Sequence, residues 1–471
     1  MSGNSSPAPQ AAVERALAAA HSDECVVIAD ETSSANLRWA GNTLTTNGVS
    51  RSRQLTVIAI RRSGDAAKVG VVSRAGVRDE QIPAIVAEAE DAAAEGTPAE
   101  DAQPLATQQD AAGIGAAAEW DGPPSGTEIG IFSRFAADLG DAFSAAASGG
   151  RKLYGFAEHQ ITSSFVGTST GLRLRHDQPT GRVELNAKSA DMARSAWAGA
   201  ATRDFTGVDI MGLASGLAER LAWAKRTVDL RAGRYETLLP PTAVADLMIY
   251  LYWSAGAKDA LDGRTVFSKP GGGTRVGEQL SAQPISLVSD PVAPRLECSP
   301  FVIAHASSRD SSVFDNGQPV GRTGWITAGR LTALGQTRHT AALSGLPYTP
   351  PIDNLIMEFE GSDTSMPEMI SRTSRGLLLT CLWYIREVDP QTLLLTGLTR
   401  DGVYLVENGE VTGAVNNFRF NESPVAMLGR ISEAGETEQT LPREWNDYFT
   451  RTAMPPLRID GFNMSSVSQA S

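Results

Sequence analysis

Cysteine is scarce in this chain of 471 residues, where only Cys25, Cys298 and Cys381 occur, far apart from one another. Their number is odd and no C-x-x-C spacing is present, which argues against a disulfide framework and against a cysteine-based zinc site. So few thiols fit a reducing compartment, and we expect a cytoplasmic protein. Cys381 lies in an apolar run, so it is predicted to be a core residue and not a nucleophile.

Histidine is also rare. The full set is His21, His159, His176, His305 and His339. No two of them are four residues apart, the spacing that places two metal ligands on one face of a helix. A zinc site would need at least three such side chains to converge from distant segments, so we interpret them as surface or singly hydrogen-bonded residues. An independent hydrolase with an unrecognised site stays open as a hypothesis, ranked after the two hypotheses given below.

Long apolar runs and a signal peptide are lacking as well. The most apolar window, residues 243–257, is interrupted by Asp246 and is shorter than a bilayer requires. Residues 1–10 are rich in Ser, Pro and Ala without a basic start, so they are predicted to be a disordered tail. Positive charge is in deficit, with 41 Lys and Arg against 54 Asp and Glu, or −13 overall. This balance argues against nucleic acid and membrane partners and favours a peptide or a protein.

The chain is long enough for two or three domains with substantial cores. An N-terminal lobe is predicted over residues 11–229, with antiparallel strands flanked by helices. Helical periodicity is found at 11–20, 80–94, 129–147 and 208–228. Alternating patterns predict strands at 24–29, at 36–45 around Gly41-Asn42, at 54–61, at 67–73 and over 151–189. Residues 96–127 are rich in Ala, Gly, Pro and Gln, so they are predicted to form a flexible connection.

Beyond residue 230 strands dominate, and a C-terminal strand-rich lobe is predicted over residues 230–465. Strand candidates lie at 301–304, 375–386, 391–398, 402–407 and 410–420. The exception is an apolar helix at 240–257, opened by prolines that the first helical turn tolerates. The Asn-Gly pair within 407–410 predicts a tight hairpin, and 315–317 predicts another turn. The fold class is therefore α+β.

Several short stretches follow one another in a recognisable order in this second lobe. They include residues 354–359 (Asn-Leu-Ile-Met-Glu-Phe), 366–371, 389–397 and 402–411, the last containing Tyr-Leu-Val-Glu-Asn-Gly-Glu. In this order they resemble the C-terminal domain of the TldD/PmbA family of metallopeptidase-related proteins. Residues 36–94 are similar to the N-terminal module of that family. The resemblance implies that the second lobe is barrel-like, with the apolar helix packed inside it.

The apolar helix departs from the metal-binding members of the family, which carry His-Glu-x-x-x-His at this place. The corresponding positions fall near Ile249, Tyr250 and Ser254. An aliphatic side chain offers no lone pair to a metal, and a tyrosine titrates far above a carboxylate base. We therefore expect no metal ligand, no catalytic residue and no cofactor in this chain. The substrate-binding residues stay unassigned.

The resemblance implies the TldE (PmbA) type of subunit, which lacks the zinc motif. Such a subunit belongs to a heterodimeric metalloprotease that degrades or processes unfolded peptides and small proteins. A TldD-type partner would supply the zinc, while this chain would form part of the substrate chamber. Whether this chain acts as an enzyme then depends on that partner. The alternative is a standalone peptide-binding or scaffold protein, a homodimer without proteolytic activity.

Two further motifs resemble chemical sites. Residues 269–275 (Lys-Pro-Gly-Gly-Gly-Thr-Arg) look like a phosphate cradle but lack the Gly-Lys-Ser/Thr ending and a strand-to-helix frame, so a loop is predicted. Lys188 and Ser189 are adjacent, whereas serine acyl enzymes use a Ser-x-x-Lys spacing. Neither motif is predicted to carry chemistry.

Overall fold

The computed structural model of the chain describes residues 7–114, 119–400 and 402–468. The first lobe is built on one six-stranded antiparallel sheet, in the order β3-β2-β1-β4-β5-β6. Its strands are β1 (Glu24–Ala40), β2 (Leu44–Ser63), β3 (Ala66–Ala75), β4 (Arg151–Thr168), β5 (Arg173–Ser189) and β6 (Ser195–Thr202). The helices beside this sheet are α1 (Pro9–Ala19), α2 (Ile82–Glu95), α3 (Ser133–Ser148) and α4 (Ile210–Trp223). The predicted lobe of helices and antiparallel strands is confirmed.

The first hairpin of the sheet turns at Gly41 and Asn42, where φ is 61° and 68°. The predicted hairpin is thus confirmed, because both residue types tolerate positive φ. The prediction that strand structure stops at residue 29 and resumes at 36 was wrong, since β1 is continuous. Its polar middle is stabilised from neighbouring segments: Glu31 pairs with Arg53, and the Ser33 hydroxyl donates to the Thr127 carbonyl oxygen over 3.1 Å.

Helix α2 covers the sheet with the face predicted from its periodicity, which includes Ile82, Ile85, Val86 and Ala89. The approach is closest at Gly70 on β3. A β-carbon added there would lie 2.1 Å from the Ala89 carbonyl oxygen, which is main chain and has no room to move aside. Only glycine therefore allows the helix to lie this close to the strand.

Replacing Gly70 by alanine is expected to lower the free energy of unfolding by about 1–3 kcal/mol, because the added methyl overpacks the α2–β3 contact. The matched control is Gly140→Ala, in the exposed part of α3, where an added β-carbon meets nothing within 4 Å. That change should stabilise the protein by up to about 1 kcal/mol, since alanine favours helix more than glycine does. Urea denaturation followed by circular dichroism measures both. Equal effects would contradict the close approach.

Two segments, residues 1–10 and 96–127, were predicted to be unstructured. Within the tail predicted at 1–10, residues 1–6 lie outside the described residues, and Pro9 and Gln10 begin α1. The connection predicted at 96–127 has a single 3-10 turn in its described part, at Asp110–Gly113. Even so, Leu105 and Ala106 are buried, in one cluster with Phe314 of the second lobe. The described part of the connection is irregular but packed.

The second lobe contains two sheets within the described ranges. A ten-stranded sheet is ordered β14-β15-β18-β22-β8-β13-β16-β17-β7, with β19 pairing with β22, and a six-stranded sheet is ordered β11-β10-β9-β12-β21-β20. The strands are β7 (Thr227–Val228), β8 (Gly233–Leu239), β9 (Ile285–Ser289), β10 (Thr323–Thr327), β11 (Arg330–Leu331), β12 (Leu355–Phe359), β13 (Arg375–Leu379), β14 (Trp383–Asp389), β15 (Leu394–Leu398), β16 (Val403–Glu407), β17 (Glu410–Val415), β18 (Phe418–Glu422), β19 (Ile431–Ala434), β20 (Glu438–Thr440), β21 (Thr452–Met454) and β22 (Leu457–Val467). The helices are α5 (Pro241–Trp253), α6 (Ala257–Leu261), α7 (Arg338–Ser344), α8 (Met366–Ser371) and α9 (Pro424–Leu428).

This lobe confirms the predicted α+β class and its strand-rich second half. The expected barrel-like form is corrected, because the strand orders given above describe open sheets and no closed barrel among the described residues. Helix α5 shares one hydrophobic core with both sheets, touching the cluster that contains Trp325 of β10 and Phe462 of β22. The helix predicted to be packed inside the lobe thus lies in the core between two open sheets. Across the described ranges, no helix combines the length and apolar character needed to span a bilayer.

Most strand predictions in this lobe hold, with three corrections. The run 375–386 is interrupted and forms the two strands β13 and β14, and 410–420 likewise divides into β17 and β18. The strand predicted at 301–304 was wrong: only Phe301 forms a bridge, with Pro319. The reason is that the Asn316 side chain hydrogen-bonds both the N–H and the carbonyl of Ala304, replacing a strand partner. The predicted turn at 407–410 is confirmed by positive φ at Asn408 and Gly409.

Candidate functional site

Helix α5 is the element on which the sequence placed the expected site. It starts at Pro241, whose lack of an N–H costs nothing at the first helical position. Most of its 13 residues are buried, and neither histidine nor cysteine occurs among them. A helix that is apolar all round belongs in a core, and α5 accordingly lies between the two sheets.

The structure separates the three positions at which the family places its metal ligands and base. Ile249 has no exposed surface and is part of the core. Tyr250, one residue further, is half-buried at the rim of a cleft. Ser254 ends the helix, and its hydroxyl donates to the Tyr250 carbonyl oxygen over 2.9 Å. That hydroxyl is therefore engaged in capping its own helix.

Asp246, one turn before Tyr250, has no exposed surface at all. Its Oδ1 accepts the main-chain N–H of Glu444 over 2.8 Å, whereas its Oδ2 is buried without a hydrogen-bond partner among the described residues. Burial raises the pKa of this carboxyl well above its ordinary value, and the neighbouring Glu444 carboxylate adds to the increase. The Asp246 carbonyl oxygen also accepts the indole N–H of Trp445 over 2.9 Å. Both bonds attach the segment around Glu444 to α5.

Glu444 carries this connection to strand β14. Its two carboxylate oxygens accept the main-chain N–H groups of Tyr384 and Ile385, each over 3.1 Å. Burial raises the pKa of Glu444, although these two hydrogen bonds act in the opposite direction. β14 is the last strand of its sheet, so its outer edge has no neighbouring strand among the described residues. The Asp246–Glu444 relay therefore fixes the start of an open strand edge relative to α5.

A cleft of about 500 Å³ opens between the end of α5 and this edge strand. Aromatic side chains form one wall: Trp253 lies 5.2 Å from Trp445 between ring centroids, and Tyr250 lies 5.8 Å from Trp445. Trp253 is 42% exposed, which is high for an indole. Charged side chains line the other side, namely Asp259, Arg264, Arg386 and Glu387. Such a mixture suits an extended chain, which offers both backbone groups and side chains.

Two titratable side chains that line the cleft have raised pKa values. Burial raises the pKa of the Tyr250 phenol, with the Glu387 carboxylate adding to the increase. Desolvation also raises the pKa of Glu387. Among the residues that line the cleft, none is a histidine or a cysteine, and the Ser254 hydroxyl is bonded to its own helix.

None of the five histidines lines this cleft. His159 is buried in the first lobe between the Thr127 hydroxyl, at 2.7 Å, and the Arg203 carbonyl oxygen, at 2.8 Å. His176 bonds to Gln178, and His305 pairs with Asp30 over 2.7 Å. Of the other two, His21 is exposed and His339 lies in α7. Across 7–114, 119–400 and 402–468, no group of three or more His, Cys, Asp or Glu side chains is arranged to hold a metal.

The remaining candidate groups are structural. Cys25, Cys298 and Cys381 are all buried, and burial raises the pKa of Cys25 and of Cys298 to about 12. The loop predicted at 269–275 is indeed a loop, closed by a bridge between Ser268 and Thr274. The Ser189 hydroxyl donates to the Asp191 carboxylate and accepts the main-chain N–H of Arg194, so it closes the turn between β5 and β6.

Comparisons with known proteins agree with this architecture. Residues 232–466 match the family described as PmbA/TldA metallopeptidase C-terminal domain. TldE from Thermococcus kodakarensis superposes with a TM-score of 0.77 at 16% identity, covering 96% of this chain and 98% of that one. A candidate modulator of a DNA gyrase from Thermotoga maritima gives 0.73 at 17%, covering 93% and 95%. Another from Bacteroides thetaiotaomicron gives 0.73 at 14%, covering 98% of both chains.

At these identities the structural likeness establishes the fold alone. A comparison with curated proteins found no match. The family match, together with the order of short stretches in the second lobe, settles the family. The chain belongs to the PmbA/TldD family.

Proposed function

We propose that this chain is the TldE (PmbA)-type subunit of a heterodimeric metalloprotease, and that it contributes a wall of the substrate chamber but no metal. The observation that carries the proposal is that α5 offers no metal ligand at the positions where the zinc-binding relatives have theirs. Ile249 is sealed in the core and Ser254 caps the helix, so neither position is available to a cation. Zinc hydrolysis needs nitrogen, sulfur or carboxylate ligands with one open coordination position, and such ligands must then come from another polypeptide.

The partner in this proposal is a TldD-type chain that carries His-Glu-x-x-x-His. Its zinc would polarise the scissile carbonyl group and lower the pKa of a bound water. The chain described here binds the substrate and keeps it in place. A cytoplasmic location, expected from the few free cysteines, is part of the same proposal.

The cleft beside α5 is the surface proposed to hold the peptide. An extended peptide can add to the open edge of β14 through main-chain hydrogen bonds, which tolerate many sequences. Trp253 and Trp445 then offer apolar faces to its side chains, while Arg386 and Glu387 meet polar ones. Folded proteins hide their strand edges, so this mode of binding favours unfolded peptides and small proteins as substrates.

Reconstitution tests the proposal. Purified alone, the chain is expected to contain no stoichiometric zinc by elemental analysis and to leave an unfolded, fluorescently labelled peptide intact. Mixed with its TldD-type partner, it should elute as a heterodimer that cleaves the peptide, and a chelator should abolish cleavage. Stoichiometric zinc or cleavage with the chain alone contradicts the proposal. A homodimer that ignores the partner favours the standalone scaffold protein instead.

A cleft variant makes the test specific to the site. Trp253→Ser should raise the KM of the reconstituted enzyme by about tenfold, because one well-packed aromatic contact contributes roughly 1–2 kcal/mol to binding. The matched control is Met211→Ser in α4, which removes an apolar side chain that is 41% exposed outside the cleft. Size-exclusion chromatography shows whether each variant still forms the heterodimer. This measurement separates weaker peptide binding from failed assembly. Equal KM values for the two variants would place the peptide elsewhere.

A further inference from the structure

A second cavity lies in the second lobe, apart from the cleft beside α5. It measures about 230 Å³, and its wall includes residues 301–304, 310–312 and 350–353 together with Tyr348. Much of its wall is apolar, with Phe301, Val302, Val320, Pro350 and Ile352 contributing. A water molecule occupies roughly 30 Å³ of liquid, so the space admits an aliphatic chain of several carbons.

Two polar atoms of this cavity wall have no partner. The Oδ1 atom of Asp310 and the hydroxyl of Tyr348 are both buried without a hydrogen bond to any described residue. More than nine in ten buried polar groups in proteins are hydrogen-bonded, and one that is not costs about 1–3 kcal/mol. Two such atoms on one cavity indicate that something polar completes it.

The other polar side chains around the cavity are already engaged. The Asp315 carboxylate accepts from the Arg338 guanidinium over 2.7 Å, and Asp353 pairs with Arg451. The Ser312 hydroxyl donates to Asp101 over 2.7 Å. The Asp310 carboxylate and the Tyr348 hydroxyl are therefore the groups left to meet an occupant.

Among the described residues, no cation forms an ion pair with Asp310. Its sequence neighbour Arg309 pairs with Asp259 and Asp262, each over 2.5 Å. Burial and the Asp259 carboxylate raise the pKa of Asp310, and the nearby Arg309 charge offsets this only in part. A cationic occupant would remove this cost.

We propose that this cavity binds a primary ammonium group carried on an aliphatic chain, with Asp310 as its counter-ion. The Tyr348 hydroxyl accepts a second ammonium hydrogen, and the apolar wall surrounds the alkyl part. This chemistry belongs both to a lysine side chain and to the N-terminus of a peptide. An anion is disfavoured by Asp310, and a multivalent metal ion is disfavoured because a single free carboxylate and a phenol are a poor ligand set.

Isothermal titration calorimetry with butylammonium chloride tests the site, with 1-butanol as the uncharged probe of the same shape. The intact protein should bind butylammonium and should bind butanol much more weakly. Asp310→Asn should weaken butylammonium binding by roughly tenfold to a hundredfold, the usual range for a charge-assisted hydrogen bond. Tyr348→Phe should weaken it by about fivefold, since one neutral hydrogen bond is lost.

The controls separate the site from general effects. Asp363→Asn removes an equal charge at an exposed position outside the cavity, and it should leave the affinity unchanged. Thermal unfolding of each variant shows that the fold is retained. Two further ligands identify the natural source: Nα-acetyl-lysine-methylamide offers a side-chain ammonium, and leucine amide offers an α-ammonium. Equal binding of butanol, no binding at all, or an unchanged affinity in Asp310→Asn would each overturn the proposal and leave a cavity filled by water.

Discussion

Replacing Arg458 by alanine is expected to lower the free energy of unfolding by about 3 kcal/mol, because it leaves the buried Thr373 hydroxyl and Met369 carbonyl oxygen without their donor and removes the cation between two glutamates. The guanidinium of Arg458 on β22 donates to Glu433 of β19 over 2.9 Å and to Glu236 of β8 over 2.7 Å. It also donates to the Thr373 hydroxyl over 2.7 Å and to the Met369 carbonyl oxygen over 2.9 Å. One side chain thus connects three strands and helix α8.

The planar geometry of the guanidinium is essential to this prediction. Arg458→Lys keeps the charge but offers a single nitrogen, so it should recover only part of the lost stability. The control is Arg419→Ala on β18, an exposed arginine whose hydrogen bond to Thr396 is 3.3 Å long. Its effect should lie within about 0.5 kcal/mol. Urea denaturation measures all three variants, and an equal loss in Arg458→Ala and Arg419→Ala would show that the network contributes little.

Local periodicity was sufficient to predict much of the fold. The buried face of α2, with Ile82 and Val86, follows from apolar spacing alone, and the hairpin follows from Gly41 and Asn42, two residue types that tolerate positive φ. Where the prediction failed, stabilisation came from distant parts of the chain. β1 continues through polar residues because Arg53 and Thr127 meet them. Residues 301–304 have the composition of a strand, but the Asn316 amide takes up the backbone groups of Ala304.

The candidate site likewise has parts that the sequence predicts and parts that depend on distant contacts. The sequence directed attention to α5 and to the positions Ile249, Tyr250 and Ser254, and two of these three do border the cleft. Asp246 looked like a break in an apolar window, whereas its partner Glu444 is 198 residues away. Ile385, on the edge strand that Glu444 holds, lies 59 residues before Glu444 in the chain. Contacts of this separation leave no periodic signal in one sequence.

Asp246→Asn is expected to stabilise the protein at neutral pH, by about 1–3 kcal/mol, even though the aspartate makes a hydrogen bond. The raised pKa of Asp246 means that the folded protein retains a proton that the unfolded chain releases. Stability is therefore lost as the pH rises from the ordinary carboxyl pKa, 3.8, toward the raised value in the folded protein. Asparagine has no charge to bury, and its oxygen still accepts the Glu444 N–H.

The advantage of Asp246→Asn should shrink as the pH falls toward 3.8, because the aspartate is then protonated in both states. Glu444 also titrates with a raised pKa, but it does so in both proteins, so the difference between the two curves reports mainly Asp246. Thermal unfolding at a series of pH values measures this difference. A constant difference across the series would show that the charge of Asp246 is not the cause.

Asp246 costs stability because its carboxyl group is buried, yet its hydrogen bond holds Glu444 next to the cleft. We therefore expect Asp246 to position the binding surface. Asp246→Asn keeps that hydrogen bond, so the reconstituted enzyme should cleave peptide with an unchanged KM. Asp246→Ala removes the acceptor, releases the Glu444 N–H, and loosens the two bonds that hold Tyr384 and Ile385 of the strand edge. Its KM should rise several-fold, as expected when a buried hydrogen bond worth about 1 kcal/mol stops positioning the binding surface. If Asp246→Ala and Asp246→Asn share one KM, the relay from α5 to the edge strand does not position substrate.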